Sequence, residues 1–251
     1  MFRHPVRIGD HRDWQMFSLS DEGSCGLRAN GALFCANELH VAGAPSDALF
    51  PLGRATGWSV VVAGPDRFGG ILHGRLWLWY DPIVEIAGER PWQDLALGEE
   101  HACGIQAGGA LYCWGDNRFG QLGDGSQETH ESPQRIGDTV GWTDIAASEH
   151  QTCGIRDGAV YCWGVLATRL HEDFSDFPPH RFTSTPQRVD PRRDWTAIAM
   201  SPDAMCGLRD GGRLACRELP SFRVDASGQP LDPDDAEAPP WSPPGTRRFG
   251  F

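Results

Sequence analysis

A segment in the middle of the chain occurs twice. Residues 92–115 are WQDLALGEEHACGIQAGGALYCWG, and residues 142–164 are WTDIAASEHQTCGIRDGAVYCWG. Both copies place Trp, Cys-Gly-Ile, a glycine turn and Tyr-Cys-Trp-Gly in the same order. An internal repeat constrains the architecture strongly, because every copy forms the same structural unit and buries its apolar face against its neighbours.

Five copies can be aligned on the tryptophan that opens the repeat. They begin at Trp14, Trp58, Trp92, Trp142 and Trp195, which are 34 to 53 residues apart. Each copy contains several short apolar runs separated by turns that contain glycine. A period of this length, built from short strands, predicts an all-β fold and favours a β-propeller with about five visible blades over a helical solenoid.

The third copy continues into DNRFGQLGDG at residues 116–125 and SPQRI at residues 132–136. Together with HACGIQAGGALYCWG, these motifs closely resemble the repeat of the regulator of chromosome condensation family. The chain resembles a degenerate, bacterial-type member, and the resemblance covers about residues 5–224. It implies a β-propeller. Since the family usually has seven blades, the resemblance leaves the blade number open.

The N-terminus is predicted to close the propeller ring. Pro5-Val6-Arg7-Ile8 has the form of the segments that end a repeat at residues 133–136 and 186–189, yet it precedes the first copy. A strand at this position would pair with the last blade and remove two exposed sheet edges; an ordinary leading strand is the alternative. We expect a propeller over residues 1–224, followed by an acidic, proline-rich tail with an aromatic terminus over residues 225–251.

The eight cysteines form four pairs at a nearly constant interval. The pairs are Cys25 with Cys35, Cys103 with Cys113, Cys153 with Cys162, and Cys206 with Cys216. In the second copy both positions change together, to Gly69 and Leu78. Asp157-Gly158 fits a two-residue type I′ turn, which would place the fourth copy's cysteines directly opposite each other, close enough for a disulfide. Four disulfides within hairpins are predicted, with buried thiols as the alternative.

The cysteines bear on the compartment in which the protein works. Disulfides favour an extracellular or periplasmic location, whereas thiols favour the cytoplasm. Residues 1–14 contain no apolar run of the kind found in a signal peptide, so we expect none in this sequence.

Charge bears on the class of partner. The formal net charge is -12, and all 22 basic side chains are arginine because the sequence contains no lysine. An acidic chain argues against binding nucleic acid, and no apolar run reaches the length of a membrane span. We therefore expect another protein as the partner, and neither nucleic acid nor a membrane.

No catalytic, cofactor or metal motif is recognised, so we predict no catalytic residues, no cofactor and no bound metal. His101 is expected to be a hydrogen-bonded structural residue, and the Asn117 and Gln121 amides to satisfy backbone groups between blades. The irregular segment over residues 165–186 is the predicted binding site, because long loops on rigid scaffolds often carry binding residues. Its candidate residues are Arg169, His171, Phe174, Phe177, His180, Arg181 and Phe182.

Three functions are compatible with these features. A non-catalytic protein-binding propeller, acting as a scaffold or an inhibitor-like module through loops on one face, is the favoured hypothesis. A carbohydrate- or peptide-active enzyme or accessory domain at the central channel is the first alternative. The family resemblance implies the second alternative, a module similar to a guanine-nucleotide exchange factor.

Overall fold

The computed structural model of the chain describes residues 12–20, 23–37, 50–51, 55–65, 67–79, 83–165, 182–201 and 204–218. The regular structure of these residues consists of β-strands, grouped in five antiparallel sheets. Each sheet begins at one of the repeat tryptophans, and the sheets follow one another in chain order as the blades of a β-propeller. The predicted all-β, five-bladed architecture is confirmed. Within the described ranges, no helix is long and apolar enough to cross a bilayer.

The strands of each blade pair in the order in which they occur along the chain. The first blade consists of β1 (Trp14–Ser20), β2 (Gly23–Arg28), β3 (Leu33–Asn37) and β4 (Phe50–Pro51). The second consists of β5 (Trp58–Ala63), β6 (Phe68–Leu72), β7 (Arg75–Trp79) and β8 (Val84–Ile86). The third consists of β9 (Trp92–Leu97), β10 (His101–Gln106), β11 (Ala110–Gly115) and β12 (His130–Arg135).

The last two blades differ in their number of described strands. The fourth consists of β13 (Trp142–Ala147), β14 (Gln151–Arg156), β15 (Ala159–Val165) and β16 (Phe182–Arg188). The fifth consists of β17 (Trp195–Met200), β18 (Ala204–Arg209) and β19 (Arg213–Glu218). The predicted closing strand at residues 5–8 and the tail at residues 225–251 lie outside the described residues. Ring closure by the N-terminus and a domain boundary at residue 224 therefore stay predictions.

Turn chemistry sets the register of the central hairpin in each blade. Asp157 and Gly158 both have positive φ, 52° and 71°, as a type I′ turn requires. They place Cys153 directly opposite Cys162. All four cysteine pairs are disulfide-bonded, with Cα–Cα distances of 4.0 to 4.1 Å. Each bond thus joins neighbouring strands at a closely spaced position of its own hairpin.

The hydrophobic cores lie between consecutive blades rather than within them. The tryptophan that opens a blade packs with the blade before it. Trp142 lies in one buried cluster with the third blade's Ile105 and Leu111, and Trp195 lies in one with the fourth blade's Ile155 and Val160. The disulfide of each of the first, third and fourth blades is buried in the core shared with the following blade. The bonds therefore close hairpins covalently while their sulfur atoms fill the cores that hold blades together.

The second blade has no cysteine pair, and other side chains fill the space that a disulfide occupies in the other blades. Gly69 and Leu78 are directly opposite each other at the positions of the two cysteines. A Cβ added at Gly69 would lie 2.7 Å from the Leu95 side chain of the third blade. The space that a disulfide occupies elsewhere is thus filled by leucines, which explains why both positions change together.

Candidate interaction surface

The predicted binding segment leaves the fourth blade at one end of its sheet. β15 ends at Val165 and β16 begins at Phe182, and these two residues pair directly. Phe182 is half-buried. The other predicted binding residues lie outside the described residues; they are Arg169, His171, Phe174, Phe177, His180 and Arg181. Their role stays a prediction, but the point at which the segment joins the propeller is established.

The long loop of the third blade lies at the same end. β11 ends at Gly115 and β12 begins at His130, which are paired as Val165 and Phe182 are in the fourth blade. The turns that precede β10 and β14 also lie at this end, since neighbouring strands are antiparallel. We call this end the loop face and define it by residues 98–101, 115–129, 148–151 and 182–185.

Two fully buried amides hold the loop of the third blade in shape. The Asn117 Oδ1 atom accepts a hydrogen bond from the Leu122 backbone N–H at 3.0 Å. The Gln121 Oε1 atom accepts one from the Phe119 N–H at 2.9 Å, and its Nε2 atom donates to Asp116 Oδ2 at 2.8 Å. The sequence predicts that these amides bridge blades, but they close their own loop instead. The loop is therefore internally fixed by buried hydrogen bonds.

A buried histidine ties this loop to the fourth blade. The Thr152 hydroxyl donates to the Gln121 carbonyl oxygen at 2.8 Å, so it accepts from His101 Nε2–H at 2.9 Å. Burial, followed by the charges of Arg67 and His150, lowers the pKa of His101 to about 3. His101 is thus a neutral imidazole carrying its proton on Nε2. Its predicted role as a hydrogen-bonded structural residue is confirmed.

The outer surface of the loop presents a charged and an aromatic side chain together. Arg118 is 62% exposed and donates to Asp116 and Glu100, each at 3.0 Å. The ring of the adjacent Phe119 lies 5.0 Å from the His150 ring of the fourth blade. Two carboxylates thus orient an accessible guanidinium beside a half-buried ring. Arginine and aromatic side chains are enriched at the energetic centres of protein interfaces.

Two carboxylates outside the recognised motifs tie the inner strands of consecutive blades together. Asp94 Oδ2 accepts a hydrogen bond from the Ile145 N–H at 3.1 Å, and Asp144 Oδ2 accepts one from the Ile198 N–H at 2.6 Å. Burial raises the pKa of Asp94 to about 7, with the charge of Asp144 as the second cause, and burial raises that of Asp144 to about 6. The available signal is Trp-x-Asp at residues 92–94 and 142–144.

Comparison with known families identifies the repeat. Two models of the regulator of chromosome condensation (RCC1) repeat match the chain, one over residues 92–121 and the other over residues 108–155. The segment over residues 92–155 is an RCC1 repeat. The matched range includes the fixed loop and His101 and ends within the fourth blade. Most of the loop face, except residues 182–185, therefore lies in the part of the chain that matches the RCC1 repeat.

Curated proteins match part of the chain. RCC1 domain-containing protein 1 from Homo sapiens is 35% identical over 82 residues, which are 32% of this chain and 22% of the human protein. Ultraviolet-B receptor UVR8 from Arabidopsis thaliana is 32% identical over 114 residues, covering 43% of this chain and 26% of the receptor. The matched segments span about a quarter of these relatives.

Solved structures share the RCC1 propeller fold at low sequence identity. Prp20p from Saccharomyces cerevisiae has a TM-score of 0.62 and 17% identity, covering 81% of this chain and 57% of that chain. Human WBSCR16 has a TM-score of 0.64 and 14% identity, covering 87% and 66%. The chain thus spans about 57% to 66% of these propellers.

Proposed function

We propose that this RCC1-repeat propeller is a non-catalytic protein-binding module whose interface is the loop face together with the segment over residues 166–181. The observation that supports the proposal best is the Arg118–Phe119 pair on a loop whose buried amides are already hydrogen-bonded. Side chains presented by a fixed loop lose little conformational entropy on association. Less of the favourable contact energy is therefore offset by ordering these side chains, and the affinity is higher.

The charge of the loop face supports a protein partner. Glu100, Glu128 and Glu149 are exposed around Arg118, and the whole chain carries a formal net charge of -12. This surface would repel a phosphate backbone. It suits a protein surface that presents basic groups to these carboxylates, where charges mainly accelerate association and select partners.

Solved relatives also support a protein as the partner class. The crystal structure of Prp20p was described together with the binding properties of Prp20p to Gsp1p and histones. Another shows Kap60 bound to yeast RCC1 (Prp20), with a TM-score of 0.64 and 15% identity to this chain. Those partners belong to the yeast protein. For this chain they support the class of partner and leave its identity to experiment.

The proposal is tested by quantitative pull-down from an extract of the source organism, followed by mass spectrometry. Replacing Arg118 and Phe119 together with Ala removes the exposed pair and leaves the two buried amides intact. We expect the specifically captured protein to be lost. Replacing residues 166–181 by Asn-Gly, which can join the paired Val165 and Phe182 in a two-residue turn, is a second, independent variant that removes the other half of the interface.

Arg193→Ala is the matched control, since it removes an exposed arginine at the end of the blades opposite the loop face, outside both proposed surfaces. It should capture the partner as the unmodified chain does. Thermal unfolding shows whether each variant is folded. Equal capture by the unmodified chain and by both folded loop-face variants would contradict the proposal.

A further inference from the structure

Arginine side chains cover aromatic rings at the hairpin end of the blades, which is opposite the loop face. The distances from guanidinium carbon to ring centroid are 5.9 Å for Arg28 on Phe34, 5.7 Å for Arg75 on Trp77, 4.4 Å for Arg156 on Tyr161 and 5.9 Å for Arg209 on Trp195. These separations lie within the range of a cation–π interaction. The first, second, fourth and fifth blades thus each hold such a guanidinium.

Carboxylates complete this arrangement in three of the blades. Each of these arginines donates through two nitrogen atoms to one carboxylate; the pairs are Arg28 with Asp13, Arg75 with Glu85, and Arg209 with Asp194. A guanidinium is therefore held between a ring and a carboxylate, two groups that attract it by different physical interactions. The repeat itself shows how this chain binds an arginine.

The third blade has the ring but lacks the arginine. β2, β14 and β18 each end in an arginine opposite the opening tryptophan, and β10 ends in Gln106 opposite Trp92. The Trp92 and Tyr112 centroids are 5.7 Å apart at 75°, and the corresponding Trp142 and Tyr161 centroids are 5.6 Å apart at 72°. The distance and the angle between the two rings are thus nearly the same in the third and fourth blades. Within the described residues, no cation lies over Tyr112.

A groove of about 440 Å³ opens at this position, between the second and third blades. We call it the inter-blade groove and define it by residues 85–89, 106, 112 and 131–133. Glu89 and Glu131 are exposed in it and form no ion pair with another described residue. Gln106 is only 2% exposed and lines the groove.

An adjoining cavity of about 210 Å³ limits where a cation can bind. It shares Glu89, Gln106 and Tyr112 with the groove, and it is also lined by Arg90 and Arg135. These two guanidinium groups repel another cation. The favourable position is therefore on the Glu131 side of Tyr112, in the larger cavity.

We propose that the inter-blade groove binds an arginine side chain from a protein partner, which takes the place that Arg156 occupies in the fourth blade. Tyr112 supplies the ring, Glu89 and Glu131 supply the negative charge, and the Gln106 Oε1 atom accepts an N–H of the guanidinium. Free arginine is a poorer occupant than a peptide arginine, because its own carboxylate faces Glu89 and Glu131. The groove contains no residue of the loop face, so the two proposals can fail separately.

The test is a titration with a blocked Gly-Arg-Gly peptide, followed by ¹H–¹⁵N NMR of the full chain. The reporters are the Gln106 side-chain amide and the Trp92 indole, whose N–H donates to the Ile86 carbonyl at the edge of the groove. Both signals should shift with the arginine peptide. The uncharged citrulline peptide should bind about tenfold more weakly, which is the expected effect of losing a partly desolvated cation–π contact and its ion pairs. Free L-arginine should also bind more weakly than the peptide.

Gln106→Arg provides the decisive variant. It gives the third blade the residue that three other blades have at this position, so it should fold, cover Tyr112 from within the chain and abolish peptide binding. Thr196→Arg adds the same charge at an exposed position of the fifth blade, outside the groove and the loop face, and should bind as the unmodified chain does. Equal affinity for the arginine and citrulline peptides, shifts confined to residues outside the groove, or undiminished binding by Gln106→Arg would each overturn the proposal.

Discussion

Raising the pH from 5 to 8 should destabilise the propeller through Asp94. Its pKa is raised to about 7 in the folded chain, first by burial and then by the charge of Asp144, whereas an unfolded aspartate titrates near pKa ~3.9. The folded chain therefore binds this proton more tightly, and the stability that the proton confers is lost as the pH rises through 7. At ~1.36 kcal/mol per pKa unit, the loss between pH 5 and 8 is about 2.5 kcal/mol.

The neighbouring carboxylate adds to the effect. Burial raises the pKa of Asp144 to about 6, so it contributes a further loss of about 1.5 kcal/mol over the same interval. Asp94→Asn removes the first contribution and keeps the second. At pH 5 this variant should be about 1 kcal/mol less stable than the unmodified chain, because an amide nitrogen cannot accept the hydrogen bond that the Ile145 N–H donates.

Urea unfolding at both pH values, followed by tryptophan fluorescence, measures these differences. The unmodified chain should lose more stability between pH 5 and 8 than Asp94→Asn does, by about 2.5 kcal/mol. Asp138→Asn is the control, since the Asp138 side chain is fully exposed; it should follow the unmodified chain. If Asp94→Asn loses as much stability as the unmodified chain over this interval, the carboxylate does not titrate as argued and the reasoning is refuted.

Two further predictions concern the cores between blades. Thr152→Val leaves the His101 Nε2–H without an acceptor and should lower the free energy of unfolding, measured by urea unfolding, by about 3 kcal/mol. The control Thr143→Val, on the exposed side of the preceding strand, should change it by less than about 0.5 kcal/mol. A similarly small effect of both substitutions would contradict the assigned hydrogen bonds. Intact-mass analysis of the native, unreduced protein should show no alkylation, and replacing Cys153 and Cys162 together by Ala should lower stability by up to about 3 kcal/mol, since the short loop is then open in the unfolded chain. Free thiols in the unreduced protein would rule out the pairing.

Features set by neighbouring residues could be predicted from the sequence. The type I′ turn at residues 157–158 follows from Asp-Gly, and the turn fixes which residues face each other across the hairpin. The register of Cys153 and Cys162 follows by counting outward. The blade order was also predictable, because the opening tryptophan recurs and marks each inner strand.

Features that depend on contacts between blades could not be predicted. The residues that Asn117 and Gln121 bond depend on how the loop folds over itself, and sequence spacing gives no account of that. The Asp94 carboxylate bonds a backbone amide about fifty residues away, and no side chain marks that amide. The inter-blade groove appears only when the third blade is compared with the others in three dimensions, since a glutamine at residue 106 is unremarkable in a one-dimensional pattern.

The location of the cores between blades has a consequence for how the polypeptide assembles during synthesis. A newly emerged blade presents an apolar surface to water until the following tryptophan arrives and covers it, so each translated repeat completes the burial of its predecessor. Trp142 and Ile105, from consecutive repeats, share one buried cluster. A ribosome that stalls between two repeats would therefore leave a half-covered sheet as a target for chaperones, and a premature stop codon would damage the blade upstream of it as well as removing those downstream.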